Sequence, residues 1–377
     1  MVKQRDPAFY GTEKPIKILL KIAPPVMAAL LIQALYNVVD SLFIGKYDPA
    51  GNGLNALSVI YTMQLIIIAL AVGTGVGVNT YMAKLYAEKK EKDANYTAGV
   101  GAVLSVATWI VFSVLSVLVL KPFIKFQCTD KIAQDYAYRY GIIVCIGSIG
   151  VFTEGNFTKV HQAEGNMLLP TIAQITGAVI NVILDPVLIF GWWIFPELGV
   201  EGAAIATIIG QIVAAIITGV KGLRKPPELK SFGRYIKKIY YYGYPSILMQ
   251  SAFTVYIVAL NAILATFCKE AVTVLGLYYK VQSFFWIPLM GLQTCIVPVI
   301  SYNYAIKRYD RIKSIMNCSF VISAVTLLIG IICFEFLPTQ IISVFNKTEK
   351  VLSIGKIAFP IIGISFAPAT FSFIIPT

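Results

Sequence analysis

The sequence predicts an all-α polytopic membrane protein. It reads as two pseudo-symmetric six-helix bundles around a central cavity, the second bundle incomplete and about ten transmembrane helices present. Three observations carry this expectation: composition, the length and number of apolar runs, and an internal repeat. Hydrophobic residues make up 57% of the chain and charged residues only 13%, whereas a soluble globular domain carries about 25% charged residues. With a mean hydropathy of +0.75, the chain belongs in a bilayer before any motif is read.

Apolar runs long enough to cross roughly 30 Å of hydrocarbon fall at residues 16–44, 54–83, 96–120, 133–158, 168–191, 200–220, 236–267, 271–302, 314–336 and 351–377. Helices are the expected form, because an open sheet in lipid leaves backbone groups unsatisfied. The basic residues set the orientation. With a cytoplasmic N-terminus, the inner side holds Lys3, Arg5, Lys14, Lys17 and Lys21, then "KLYAEKKEK", "KGLRKPPELKSFGRYIKK" and "KRYDRIK". The net charge of +12 is thus topological, spread over loops, and points away from a nucleic-acid face. Six cysteines without a CxxC pair and a single histidine make a structural zinc site implausible. No cleavable signal peptide is expected, since the first apolar run is too long and has no small-residue cleavage site.

The repeat is legible in two places. "KIAPPVMAALLIQ" and "YYGYPSILMQSAF" bring Pro25 and Pro245 into register, and "NTYMAKLYAEKKEKDAN" matches "ISYNYAIKRYDRIKSIM". Six helices per repeat give both halves the same orientation, related by an axis along the membrane normal. The expected division is an N-terminal lobe at 1–222, a cytoplasmic connector at 223–235 and a C-terminal lobe of four helices at 236–377. In this register Thr377 corresponds to Phe157 of the first half, so two helices and the end of a third are expected to be lacking.

Acidic residues inside these runs need an explanation, because a carboxylate at mid-helix costs roughly 2.5–3.5 kcal/mol on insertion scales. Asp40 in "YNVVDSLFIG" is either a helix end in water or a buried functional acid, and the apolar "SLFIG" after it favours burial. Asn181 and Asp185 in "NVILDP" are i and i+4 and share a helix face. Pro186 has no N–H, so the Val182 carbonyl loses its partner if the helix continues. The alternative is a plain helix stop at "DP". If the helix continues, two carboxylates, an amide oxygen and a spare carbonyl can bind Na⁺ or share a proton. Glu154 is a further candidate, either paired with Lys159 or part of a proton path. His161 is expected in a surface loop, and Arg139 and Lys280 at the membrane boundary, snorkelling.

The stretches "LYNVVDSLFIGKY", "HQAEGNMLLPTIAQITGAVINVILDPVLIFG", "GVEGAAIATIIGQ" and "SYNYAIKRYDRIK" resemble, in order and spacing, the multidrug and toxic compound extrusion (MATE) family of secondary transporters. The resemblance covers essentially the whole chain. It implies an antiporter, not an enzyme, that exports cationic or amphipathic compounds from the cell in exchange for H⁺ or Na⁺. It places the N-terminal-lobe cation site on Asp40, Asn181 and Asp185, with Thr207 a further ligand on a looser alignment. One departure stands out. The sodium-coupled branch has a Glu in the seventh helix where this chain has Gln250, and an acid in the tenth where "IAFPIIGISFAPATFSFIIPT" has none. An ion site in the second lobe is therefore not expected.

Candidate substrate-cavity residues, assigned by symmetry, are Gln33, Tyr36, Asn37 and Gln64 in the first half, with Met249, Gln250, Tyr256 and Trp286 in the second. Flexible methionine and flat aromatic rings suit varied hydrophobic cations. The glycines of "VGTGVGVN" lack the Lys-Ser/Thr ending of a P-loop and are better explained by helix packing. No cofactor is expected beyond the coupling ion, no metal beyond Na⁺ at the acidic site, and no nucleic-acid partner. The protein is expected to be a monomer in the cell membrane. A lipid-linked oligosaccharide flippase of the same architecture, or an inactive shortened transporter, are the alternatives. The first calls for a cationic cavity, and the first two helices contain no Arg.

Overall fold

The computed structural model describes residues 9–374 apart from Thr129, Trp193, Thr266, Cys268 and 346–348, and some side chains within the helices are not described. Its described elements are helical: α1 (Phe9–Thr12), α2 (Pro15–Tyr47), α3 (Asn52–Ala87), α4 (Glu91–Gln127), α5 (Lys131–Gly147), α6 (Ile149–Ala163), α7 (Leu168–Ile189) and α8 (Val200–Gly222). They continue with α9 (Phe232–Ala265), α10 (Lys269–Ala305), α11 (Tyr309–Phe336), α12 (Pro338–Phe345), α13 (Glu349–Gly363) and α14 (Phe366–Ile374). Among the described residues seven helices are individually long and apolar enough to span a membrane, and the bent pairs α5–α6 and α13–α14 raise this to nine. The run at 236–267 falls on α9, so each of the ten apolar runs has a helical counterpart. The chain is a multi-pass membrane protein, and within the hydrocarbon its helices satisfy their own backbone groups.

Two compact units form, one of Ile32–Ser251 and one of Phe9–Leu31 with Ala252–Thr377; their limits fall inside α2 and α9. In the first unit, the turn after α2 is closed by Asp48, whose carboxylate accepts from Ala50 N (3.1 Å) and Gly53 N (2.8 Å) and so satisfies the free amides at the start of α3. Asp130 caps α5 by accepting from Ile132 N at 2.9 Å. The 41° bend between α5 and α6 falls at Ser148, whose hydroxyl turns back onto the Cys145 carbonyl at 2.7 Å. The core around this bend packs Ile60, Phe112, Tyr140 and Phe152. A second cluster joins Val78, Met82, Val160, Tyr235 and Ile239, where Tyr235 Oη also donates to Asp93 at 2.6 Å.

The second unit is centred on aromatic rings. Phe334 stands 5.0 Å from Phe359 and 5.3 Å from Phe366, centroid to centroid, distances at which tilted and edge-on pairs are attractive. Its N-terminal segment is an element the sequence did not announce. Tyr10 of α1 is fully buried, and its carbonyl accepts from Asn303 Nδ2 (2.9 Å) and Arg311 Nη2 (3.3 Å). Arg308 holds the Gly11 carbonyl at 3.1 Å, and Arg311 also reaches the Glu13 carbonyl. Hydrogen bonds from a charged donor contribute about 1.5–3 kcal/mol each. Arg311→Ala is therefore expected to free this segment locally and to speed tryptic cleavage after Lys17 by about tenfold or more. The membrane-embedded fragments should stay intact, and an unchanged cleavage rate would refute the clasp.

Candidate functional site

The acidic residues of the apolar runs converge within the first unit. Asp40 lies inside α2, seven residues before that helix ends, and is 6% exposed; the helix-end-in-water alternative does not hold. α7 likewise runs through Pro186 to Ile189, so "DP" is not a stop and the Val182 carbonyl has no Pro amide to pair with. Asn181 and Asp185 are 2% and 0% exposed. Asn181 Nδ2 donates to Asp185 Oδ1 and to Thr207 Oγ1 on α8, both at 3.3 Å. Asp40 is close enough for its charge to bear on Asp185. The structure thus brings together all four residues expected to bind the coupling cation.

Sequence dictates this meeting through two glycines. A Cβ at Gly177 would lie 2.6 Å from the Gly210 carbonyl oxygen, and one at Gly210 would lie 2.5 Å from the Gly177 oxygen. Only glycine on both helices permits that backbone crossing, the small-residue contact by which membrane helices approach. One turn from the crossing on each helix stand Asn181 and Thr207.

The electrostatics of the cluster are unbalanced. Asp40 Oδ1, Asn181 Oδ1 and Asp185 Oδ2 are buried without a hydrogen-bond donor. Buried acceptors are ordinarily paired, and two neighbouring carboxylates in lipid cannot both stay charged without a counter-ion or proton. Two buried carboxylates beside an amide suit a hard cation such as Na⁺ or a shared proton. Among the described residues no group of three His, Cys, Asp or Glu is poised for a transition metal.

The other expected residues are more dispersed. Glu154 Oε1 accepts from Thr158 Oγ1 (2.6 Å) and from Gln174 Nε2 on α7 (3.2 Å), while Lys159 Nζ donates to Gln162 Oε1 at 2.9 Å. Gln64 donates to Tyr140 Oη at 3.4 Å. Gln33, Met249 and Tyr256 are exposed, and Gln250 and Trp286 half-buried. The side chains of Tyr36, Asn37 and Lys280 lie outside the described residues. His161 requires a correction: it is no loop residue but sits in the last turn of α6, 1% exposed. Its Nε2 is 2.9 Å from the Thr218 carbonyl on α8, because α6 runs five residues further than its apolar stretch and packs there on α8. Arg139 pairs with Asp135 (2.9 Å) and Glu201 (3.5 Å). Sequence reasoning missed Gln174, although it lies seven residues before Asn181 and so on the same helical face. It also missed Glu164, buried beside His161 and held by Arg224 at 2.9 Å and Tyr86 Oη at 3.2 Å.

The MatE family model matches residues 25–187 and 245–377, most of the chain. This chain belongs to the MatE family. Asp40, Glu154, Asn181 and Asp185 fall inside the matched segments, whereas Thr207 does not. Among curated MatE-like relatives, the probable multidrug resistance protein NorM of Thermotoga maritima is 26% identical over 92% of this chain and 76% of its own length. The multidrug export protein MepA of Staphylococcus haemolyticus is 25% identical over 91% and 76%, and a protein named FAD transporter from Shewanella oneidensis 24% over 89% and 75%. The MatE fold is shared with solved structures. An outward-facing multidrug resistance MATE transporter superposes with a TM-score of 0.88 at 20% identity, covering 99% of this chain and 84% of its own. A MOP-superfamily transporter from Pyrococcus furiosus gives 0.85 at 19%, covering 99% and 85%.

Proposed function

We propose that this MatE-family protein is a secondary active antiporter that exports cationic or amphipathic compounds in exchange for H⁺ or Na⁺. One observation carries the reading: the buried, donor-less oxygens of Asp40, Asn181 and Asp185 in a membrane-embedded cluster. In this reading the cation neutralises the two acids, and Thr207 helps hold the Asn181 amide whose nitrogen donates to Asp185. Loading and release then favour opposite access states, because a ligand shifts a conformational equilibrium only by its differential affinity. The drug-exporting relatives support the substrate class. The acids of the first unit favour a cation over the anionic dinucleotide that the Shewanella protein's name implies.

The topology belongs to the same proposal: lobes at 1–222 and 236–377 joined by 223–235, a monomer in the cell membrane, the N-terminus in the cytoplasm. The test uses everted vesicles containing the whole chain, with ethidium as cationic probe and no ATP. An imposed proton or sodium gradient should drive ethidium into the lumen, and collapsing the gradient should stop it. Uptake indifferent to both gradients would overturn the antiport reading. Uptake of FAD but not ethidium would redirect it to anionic substrates.

A further inference from the structure

We infer that Glu154 is a second proton-binding station, set between the cytoplasmic mouth of the first unit and the Asp40–Asp185 cluster, with Gln174 as its bridge. The inference rests on the antiport reading and deepens it, since it names the ion and the route by which the ion leaves the cluster.

The placement follows from helix geometry. Gln174, Asn181 and Asp185 are at i, i+7 and i+11 on α7, within one narrow stripe of that helix. At a rise of 1.5 Å per residue, Gln174 lies roughly 9 Å from the start of α7, and Asp185 roughly 26 Å. One end of this stripe is the cation cluster. At its other end, Gln174 Nε2 donates to Glu154 Oε1 across the α6–α7 interface, so the carboxyl is tied to the same polar stripe as Asp185.

The carboxyl is also held in an unusual way. Thr97, Thr153, Thr171 and Thr218 all donate to the backbone carbonyl four residues earlier, the habitual bond of a helical threonine. Thr158 instead gives its proton to the Glu154 side chain at 2.6 Å. Both donors converge on Oε1. No hydrogen bond to Oε2 is formed among the described residues, and Glu154 is only half-buried, unlike the sealed Asp40 and Asp185. One oxygen is thus fixed while the other stays open to take a proton. Lys159, on the same helix, is the charged group acting on Glu154; the facing group on α7 is the neutral Gln174, and neither α3 nor α8 adds a charge.

The experiment compares Glu154→Gln, Glu154→Asp and Asp40→Asn with the unaltered full chain in everted vesicles, again with ethidium. Two rates are read: uptake driven by a proton gradient, and counterflow against preloaded ethidium without any ion gradient. Positioned proton-transfer groups contribute on the order of a hundredfold. Glu154→Gln should therefore lower gradient-driven uptake by at least about tenfold while leaving counterflow within about twofold. Glu154→Asp, shorter but still titratable, should retain more gradient-driven uptake than Glu154→Gln, which keeps the shape and both hydrogen bonds. The reverse order, or parallel loss of counterflow in Glu154→Gln, would mean a structural role and overturn the inference. Normal gradient-driven uptake in Glu154→Gln with loss in Asp40→Asn would overturn this station alone. Normal uptake in both variants would overturn the antiport reading along with it.

Discussion

Asp185→Asn is expected to abolish gradient-driven export while leaving the protein at least as stable as before. Asp185 is fully buried, with Oδ1 accepting from Asn181 and Oδ2 accepting from nothing. Its nearest charged neighbour is another acid, Asp40. A carboxylate at mid-membrane costs roughly 2.5–3.5 kcal/mol, and among the described residues no Lys or Arg offsets the cost. Asparagine keeps the volume and an oxygen for Asn181 but removes the charge that binds H⁺ or Na⁺. The two effects have opposite signs. Ion-driven ethidium uptake should fall by about tenfold or more, which needs a loss of only about 1.4 kcal/mol in ion binding. The melting temperature of the solubilised protein should hold or rise, because an unpaired buried charge has been deleted. Asp40→Asn should behave alike, and the double variant should add little, since neighbours in one site are not additive. If Asp185→Asn exports normally, the coupling ion binds elsewhere. If it loses export and melts far lower, Asp185 is a structural residue.

Much of this architecture was readable from patterns that lipid enforces. A chain that must satisfy its backbone internally shows its spans as apolar runs, and the counterpart of each run is a helical unit. The acids stood out for the same reason, since each is an expensive exception in an otherwise apolar helix. What the sequence concealed depends on partners from other helices. Gln174 and Thr158 look like ordinary polar residues until α6 and α7 are placed side by side and both are seen to point at Glu154. His161 was misjudged because hydropathy marks where a helix leaves the apolar layer, not where its hydrogen bonding ends. The α1 clasp was invisible because its recognition uses backbone carbonyls of Tyr10, Gly11 and Glu13, which carry no side-chain signature. Thr207 was reached through the family resemblance alone, and its place beside the Gly177–Gly210 crossing is what brings it to Asn181.

That crossing yields the other large effect. Gly210→Val is expected to destabilise the first unit and disable export together. The added Cβ would meet the Gly177 carbonyl oxygen at 2.5 Å and Asn181 Cβ at 3.3 Å. The nearer obstacle is backbone, so no rotamer change relieves it and α7 must move away from α8. Overpacking of this kind costs about 1–3 kcal/mol in a well-packed core. The displacement also pulls Asn181 from Thr207, whose 3.3 Å hydrogen bond helps hold the amide that donates to Asp185. The appropriate comparison is Gly233→Ala in the first turn of α9, where an added Cβ meets nothing within 4 Å. That change should be neutral or stabilising by up to about 1 kcal/mol, since glycine is a poor helix former. Thermal unfolding of the solubilised protein and gradient-driven ethidium uptake read both variants. A Gly210→Val protein as stable and active as Gly233→Ala would mean that α7 and α8 do not cross at these glycines, and the geometry of the cation cluster would fall with the crossing. Gly177→Val probes the same contact from the other side and should reproduce the loss, because its Cβ meets the Gly210 oxygen at 2.6 Å.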